Sequence, residues 1–153
     1  MWPSAPPTIV GWPDMPSPEV LAVLADEVVE VTPQLVNALA RLAEEGGPDR
    51  AEAIELYREP VERIAGTAEL LGLHGLQEFC TQLGKNLGVL DSGVLDEHLR
   101  SLLGRWPGLL IGYLRAPQDG VYSRELADYF RDDRWPDRMD AVQAMTLTEK
   151  LSA

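Results

Sequence analysis

The chain reads as an all-α protein, an up-and-down helical bundle with extra helices at its C-terminal end. Three observations lead there. Apolar residues recur at steps of three and four from Ser17 nearly to the end. Ser-Pro and Thr-Pro pairs and glycines punctuate those stretches as helix starts and stops. No alternating apolar–polar run of useful length marks a strand, and "EVVEV" reads as a helix end.

Taken in order, residues 1–16 hold five prolines and form an irregular arm, with Trp2 and Trp12 placed to fold back onto the domain. Ser17-Pro18 is an N-cap followed by a first-turn proline, and Thr32-Pro33 repeats the device. They predict helices over about 18–31 and 33–45, the second with Leu35, Leu39 and Leu42 inward and closed by Gly46-Gly47. The third, about 49–71, carries the stripe Ile54, Tyr57, Val61, Ile64, Ala68, Leu71 and ends at Gly72. Pro60 inside it predicts a kink or break near Glu55–Pro60, because proline removes one backbone bond and clashes one turn back. The fourth runs from Leu76 to Leu90 with Leu76, Phe79, Cys80, Leu83, Leu87 and Leu90 on one face, leaving Gly84 and Gly88 off it. A fifth over 94–104 turns Leu95, Leu99 and Leu102 inward. After "RWPG" come a short helix over 108–115, one begun by the cap Ser123, and a last one begun by Pro136 with Val142 and Met145 inward. The domain plan is an arm (1–16), a helical bundle (17–104), and a helical extension (105–150) packed on the same domain.

Size and charge narrow the function. At 153 residues the chain makes one domain with a substantial core. Thirteen basic against 25 acidic residues leave a net charge of −12, which repels phosphate backbones and anionic lipid. Nucleic acid and membrane insertion are therefore poor expectations, whereas a basic protein partner suits the balance. One cysteine, Cys80, excludes an internal disulfide and a cysteine-built zinc site. It lies in an apolar stripe without a basic neighbour, the setting of a buried, inert thiol. The N-terminus lacks the pattern of a secretory leader, so cytoplasm is the default compartment. "TLTEKLSA" has no terminal helix stop, which reads as a piece cut from a longer chain.

Catalytic signatures are missing: no phosphate-binding glycine loop, no paired-histidine zinc motif, no nucleophile elbow. His74 and His98 are the two histidines, and each reads as structural or solvated. Glu55, Glu59, Glu62 and Glu69 line one helical face, but acid–base work needs a cleft and a raised pKa. A solvated face is the simpler reading. No catalytic residue, cofactor or metal ligand is assigned.

One residue resists that plain reading. Gly66 sits mid-helix on the face opposite the apolar stripe, one turn after Glu62, where a glycine costs roughly 1 kcal/mol relative to alanine. The surrounding "AGTAELLGLHGLQEFCTQL" resembles the histidine-phosphotransfer (HPt) domain of bacterial two-component signalling, and the resemblance covers roughly Pro18 to Leu103. In that family an exposed helix presents a histidine, two variable residues, usually a lysine, then a glycine, and a continuation such as "LGL..L...C..L" runs into the next helix. The resemblance implies that the glycine lets a receiver domain's active site come close, while the lysine helps neutralise the phosphoryl charge. The segment "WPGLLIGYL" is similar to an extension found in HPt-like modules of large chemotaxis-type kinases that control type IV pili.

At the chemical positions the likeness stops. Counting back from Gly66, Glu62 stands at the phosphoacceptor and Ala65 at the lysine, and no histidine occurs between Val61 and Leu73. Glutamate has no imidazole nitrogen, and its charge repels an incoming phosphoryl group. The expectation is a non-catalytic HPt-like module that acts by protein–protein binding or scaffolding. Its docking face comprises Glu59, Glu62, Ala65, Gly66 and Glu69. Its partner is a receiver domain or other signalling protein, or other domains of a larger kinase. Two alternatives stand beside it: an active phosphocarrier using His74 or His98, and a helical spacer of a larger signalling protein.

Overall fold

The computed structural model describes residues 17–42, 50–91 and 97–152. The arm with Trp2 and Trp12, the Gly46-Gly47 stop and Leu95 lie outside them. The described residues form an all-α bundle: α1 (Pro18–Leu42), α2 (Arg50–Leu70), α3 (His74–Asn86), α4 (Glu97–Arg115), α5 (Gly120–Asp128) and α6 (Ala141–Ser152). Short 3₁₀ turns follow α3 (Leu87–Asp91) and α5 (Tyr129–Arg131).

Ser17 begins α1 as the sequence predicts, its Oγ accepting from the Val20 N–H at 3.3 Å. Gly72, at φ 71°, ends α2 in the left-handed conformation that glycine adopts without a Cβ penalty. The Gly72 and Leu73 N–H groups there return to the Glu69 and Ala68 carbonyls, a Schellman closure that lets α3 start two residues after the glycine.

Each long helix runs antiparallel to its neighbours. On α1 and α2, Gln34 meets Leu56 and Arg41 meets Glu52, so residue numbers run oppositely. Gly104 of α4 faces Leu39 of α1, while Leu114 shares a groove with Leu21. Glu69 of α2 bonds Gln77 of α3, and Arg58 lies near Leu87. Round the bundle the order is α4, α1, α2, α3, α6, α5 and back to α4. The predicted stripes are the core: Leu35, Leu39 and Leu42 of α1, Ile54 to Ala68 of α2, and Leu76 to Leu90 of α3 and the 3₁₀ turn after it are buried.

Prolines account for the main departures from the sequence reading. Pro33 and Pro107 lie inside α1 and α4 rather than at their ends, and Pro60 lies inside α2 as the sequence places it, in a helix that runs through it without a break. The two helices predicted over 18–31 and 33–45 are one, and those over 94–104 and 108–115 are one. The division drawn at 104/105 falls within α4. A helical proline leaves the carbonyl four residues back without its N–H partner. For Pro60 that carbonyl belongs to Leu56, and Gln34 of α1 donates its Nε2–H to it at 2.9 Å. For Pro107 it belongs to Leu103, and the Tyr57 hydroxyl of α2 donates to it at 2.5 Å. Other helices thus supply the bonds the prolines remove, and packing holds the helices continuous.

Tyr57 also accepts from Trp106 Nε1–H at 2.8 Å, which saturates both buried groups. Around this node Phe79, Trp106, Tyr129, Phe130 and Trp135 pack with ring centroids 5.0 to 6.4 Å apart. The Tyr129 hydroxyl donates to the Leu102 carbonyl, and Trp135 Nε1–H donates to the Tyr129 carbonyl. The C-terminal helices are therefore built into the same core.

Three sequence assignments near the C-terminus are corrected. Asp119, not Ser123, caps α5, accepting from the Val121 N–H at 3.0 Å, while Ser123 is buried within the helix. The last helix starts at Ala141, not at Pro136. Asp140 and Gln143 exchange reciprocal bonds of 2.8 and 2.9 Å between side chain and backbone, a capping box. That later start rotates the buried face onto Ala144, Leu147 and Leu151, leaving Val142 at 71% and Met145 at 62% exposure.

Replacing Tyr57 by Phe removes one hydroxyl but strands two buried partners, the Leu103 carbonyl and the Trp106 N–H. At about 1–3 kcal/mol for each unpaired buried group, Tyr57→Phe is expected to lower stability by at least about 2 kcal/mol in urea unfolding. Alkali probes the same core. Burial pushes the Cys80 thiol from 9.0 up to about 12 and the Tyr113 phenol from 10.0 up to about 12, and raises Tyr57 and Tyr129 as well. As pH rises past about 9 the unfolded chain releases these protons before the folded one does, so the stability present below that pH falls. Tyrosinate absorbance from Tyr57, Tyr113 and Tyr129 should then appear together with loss of helical circular dichroism.

Candidate functional site

The candidate face lies on the outer side of α2 where it meets α3. The stripe from Ile54 to Ala68 turns inward, so Glu59, Glu62, Gly66 and Glu69 are exposed, and Ala65 is half-buried at the edge. The structure therefore brings the five predicted residues onto one surface. Their electrostatics differ. Glu59 receives a two-pronged bond from Arg63, at 2.9 and 2.8 Å, which holds that guanidinium more firmly in its charged form, with Glu27 adding to the effect. Glu69 accepts from Gln77 at 3.1 Å. Glu62 has no hydrogen bond or ion pair among the described residues. It is the free carboxylate of the face.

Gly66 separates sharply from the glycines that packing requires. A Cβ on Gly66 meets no atom within 4 Å. By contrast, a Cβ on Gly75 lands 2.7 Å from the Leu151 backbone nitrogen and the Lys150 carbonyl carbon, so α3 and α6 can touch only at a glycine. Gly66 also does not need a left-handed backbone, since Gly72 alone among the described glycines has positive φ. Nothing inside the fold calls for a missing side chain at Gly66.

Beside this face a shallow groove of about 370 Å³ runs between α2 and α3, lined by Arg58, Glu62, Ala65, Thr81 and Gly84 over buried Cys80 and Leu87. Gly84, which the sequence leaves off the apolar stripe, forms its α3 wall and meets nothing within 4 Å. Sequence reasoning missed one residue of the face. Leu70 lies one turn past Gly66, on the same side, at 87% exposure. Its signal was available: beside Leu71, which closes the apolar stripe, Leu70 is a large apolar residue in register with the polar side.

The two histidines lie elsewhere. His74 is the exposed first residue of α3. His98 on α4 pairs with Asp132 at 3.2 Å. Partial burial opposes ionisation of Asp132, but the Arg134 N–H, His98 and Arg105 outweigh it and hold the carboxyl below its usual range. Neither histidine reaches the Glu62–Gly66 face. Among the described residues no three His, Cys, Asp or Glu side chains gather as a metal site, and no helix is long and apolar enough to cross a membrane.

No protein family, curated protein or solved structure matches this chain. The class its fold defines is an all-α helical bundle, and the HPt likeness stands on the quoted residues alone.

Two glycine substitutions are expected to act in opposite directions. Gly66→Ala gains helix propensity without a clash and should raise stability by roughly 0.5–1 kcal/mol. Gly75→Ala drives a methyl into the backbone of α6 and should lower it by roughly 1–3 kcal/mol. Urea unfolding of both variants beside the parent measures each sign.

Proposed function

We propose that the chain is a non-catalytic HPt-like signalling module that binds a receiver domain or a related signalling protein through the α2 face. The observation that carries the reading is Gly66: a destabilising helical glycine with open space around it, beside Glu62, leaves room for close approach by something outside the chain. Glu62 stands where the resemblance puts a phosphoacceptor histidine, and Ala65 where it puts a lysine, so the face keeps a shape for approach without the nucleophile. Leu70 supplies the apolar anchor that an acidic face lacks, since the energy of an interface concentrates in a few desolvated contacts. The free Glu62 carboxylate and the overall charge of −12 favour a basic surface on the partner.

The test combines binding with transfer. The full chain is incubated with phosphorylated and unphosphorylated receiver domains, and both complex formation and acid-labile phosphate on the chain are measured. The expected result is binding to a receiver without phosphate on the chain, weakened about tenfold or more by Gly66→Leu, equivalent to about 1.4 kcal/mol, with the thermal midpoint held. Acid-labile phosphate that disappears in His74→Ala or His98→Ala overturns the reading in favour of a working carrier. Absence of binding to any receiver overturns it in favour of a helical spacer.

A further inference from the structure

The outward side of α1 carries a pattern that the bundle does not use. Buried positions on this helix include Leu21, Ala25, Val28, Leu35, Ala38 and Leu42. Facing away from them, Ala22, Asp26, Val29, Pro33, Val36 and Ala40 are all exposed. Their spacing is four, three, four, three, four, the alternation of the seam positions in a heptad repeat. Five of the six are apolar, and Val29 and Val36 stand 43% and 57% exposed at its middle. A helix wholly on a domain surface needs one apolar stripe for its own core. This one has a second, suited to receive another helix.

Backbone chemistry marks the same place. Pro33 cannot donate to the Val29 carbonyl. The equivalent carbonyls behind Pro60 and Pro107 are taken by Gln34 and Tyr57, whereas no side chain among the described residues bonds that of Val29. An acceptor therefore lies between two exposed residues of the seam.

Charge decides the occupant. Asp26 is in the seam, and Glu19 and Glu30 line its outer edge, also exposed. The one basic residue of α1, Arg41, is drawn to Glu52 of α2. A second copy docked in parallel would set Asp26 against Asp26, and in either direction it would bring together two chains of net charge −12. We infer that the outer face of α1 is a docking seam for a basic amphipathic helix of another protein. Apolar side chains of that helix pack on Val29 and Val36, while its Lys or Arg side chains reach Asp26, Glu30 and the Val29 carbonyl. The seam is separate from the α2 face and does not depend on the function proposed for it.

The probe is a synthetic three-heptad helix with leucine at its seam positions and lysine or arginine flanking them. A twin peptide keeps the leucines and carries glutamate instead. Fluorescence anisotropy with the full chain should show the basic peptide binding at least tenfold more tightly than the twin. Val29→Gln together with Val36→Gln should weaken it at least tenfold, with helical content and thermal midpoint kept because both sites are exposed. Gly66→Leu should leave it unchanged. Equal binding of the two peptides, or basic-peptide binding indifferent to the valine changes, overturns the seam. So does self-association in sedimentation that the double variant abolishes, which would make the occupant a second copy.

Discussion

A helix that contains a proline must find its missing hydrogen bond elsewhere, and this bundle is arranged around that requirement. Pro60 and Pro107 sit buried, where a carbonyl left open would be penalised most. The donors that answer them, Gln34 and Tyr57, come from another helix in each case. α1 is thus pinned to α2, and α2 to α4, by bonds that exist only in the assembled fold. Tyr57 is the stricter of the two. It accepts from Trp106 while donating to Leu103, so its ring position fixes the tryptophan, and the tryptophan fixes the aromatic packing against Phe79. The same cluster takes in Tyr129, Phe130 and Trp135, which ties the C-terminal third of the chain to the helices at its start.

Much of the fold was legible because burial follows the helical period. The stripes through Leu35, Tyr57, Ile64, Phe79 and Leu83 are read directly from the sequence and are buried. Proline was misread for a specific reason. Locally, Thr32-Pro33 is a good helix start and "RWPG" a good stop, and local rules contain no term for a side chain from another helix. The donor that lets α4 pass through Pro107 is about fifty positions away in the chain, at Tyr57. α6 failed differently. Its period was visible but its phase was not, because the start depends on the Asp140–Gln143 exchange, while Pro136 offered a more conspicuous signal five residues earlier.

The candidate face was legible as an anomaly rather than as a site. Gly66 is conspicuous because helix propensity argues against it, and no structure is needed to see that. The groove beside it was not legible, since it brings Gly84 and Thr81 of α3 against Glu62 and Ala65 through antiparallel packing. Sequence alone also could not separate Gly66 from Gly75. Both interrupt or flank helical stretches, yet one touches nothing and the other touches backbone. The difference lies in where α6 returns: its last turn comes back to the start of α3 and is held there by Tyr113, whose hydroxyl donates to the Leu151 carbonyl at 2.6 Å.

The distribution of these constraints has a consequence for how the surface is used. The aromatic node and the C-terminal helices pack on the α3–α4 side of the bundle, whereas among the described residues no element covers the outer faces of α1 and α2. Those two helices are joined along their length by Gln34 to Leu56 and Arg41 to Glu52, and on α2 itself Arg63 closes onto Glu59. Two adjacent faces thus stand on a scaffold held from behind, one with a glycine and a free carboxylate, the other with a heptad seam. Rigid support of this kind reduces the ordering that a partner must impose when it binds, one of the costs that offset the energy of an interface. An acidic charge spread over both faces also disfavours their burial against each other in a second copy. The same sequence choices that keep carboxylates out of the core therefore direct the proposed contacts toward partners of opposite charge.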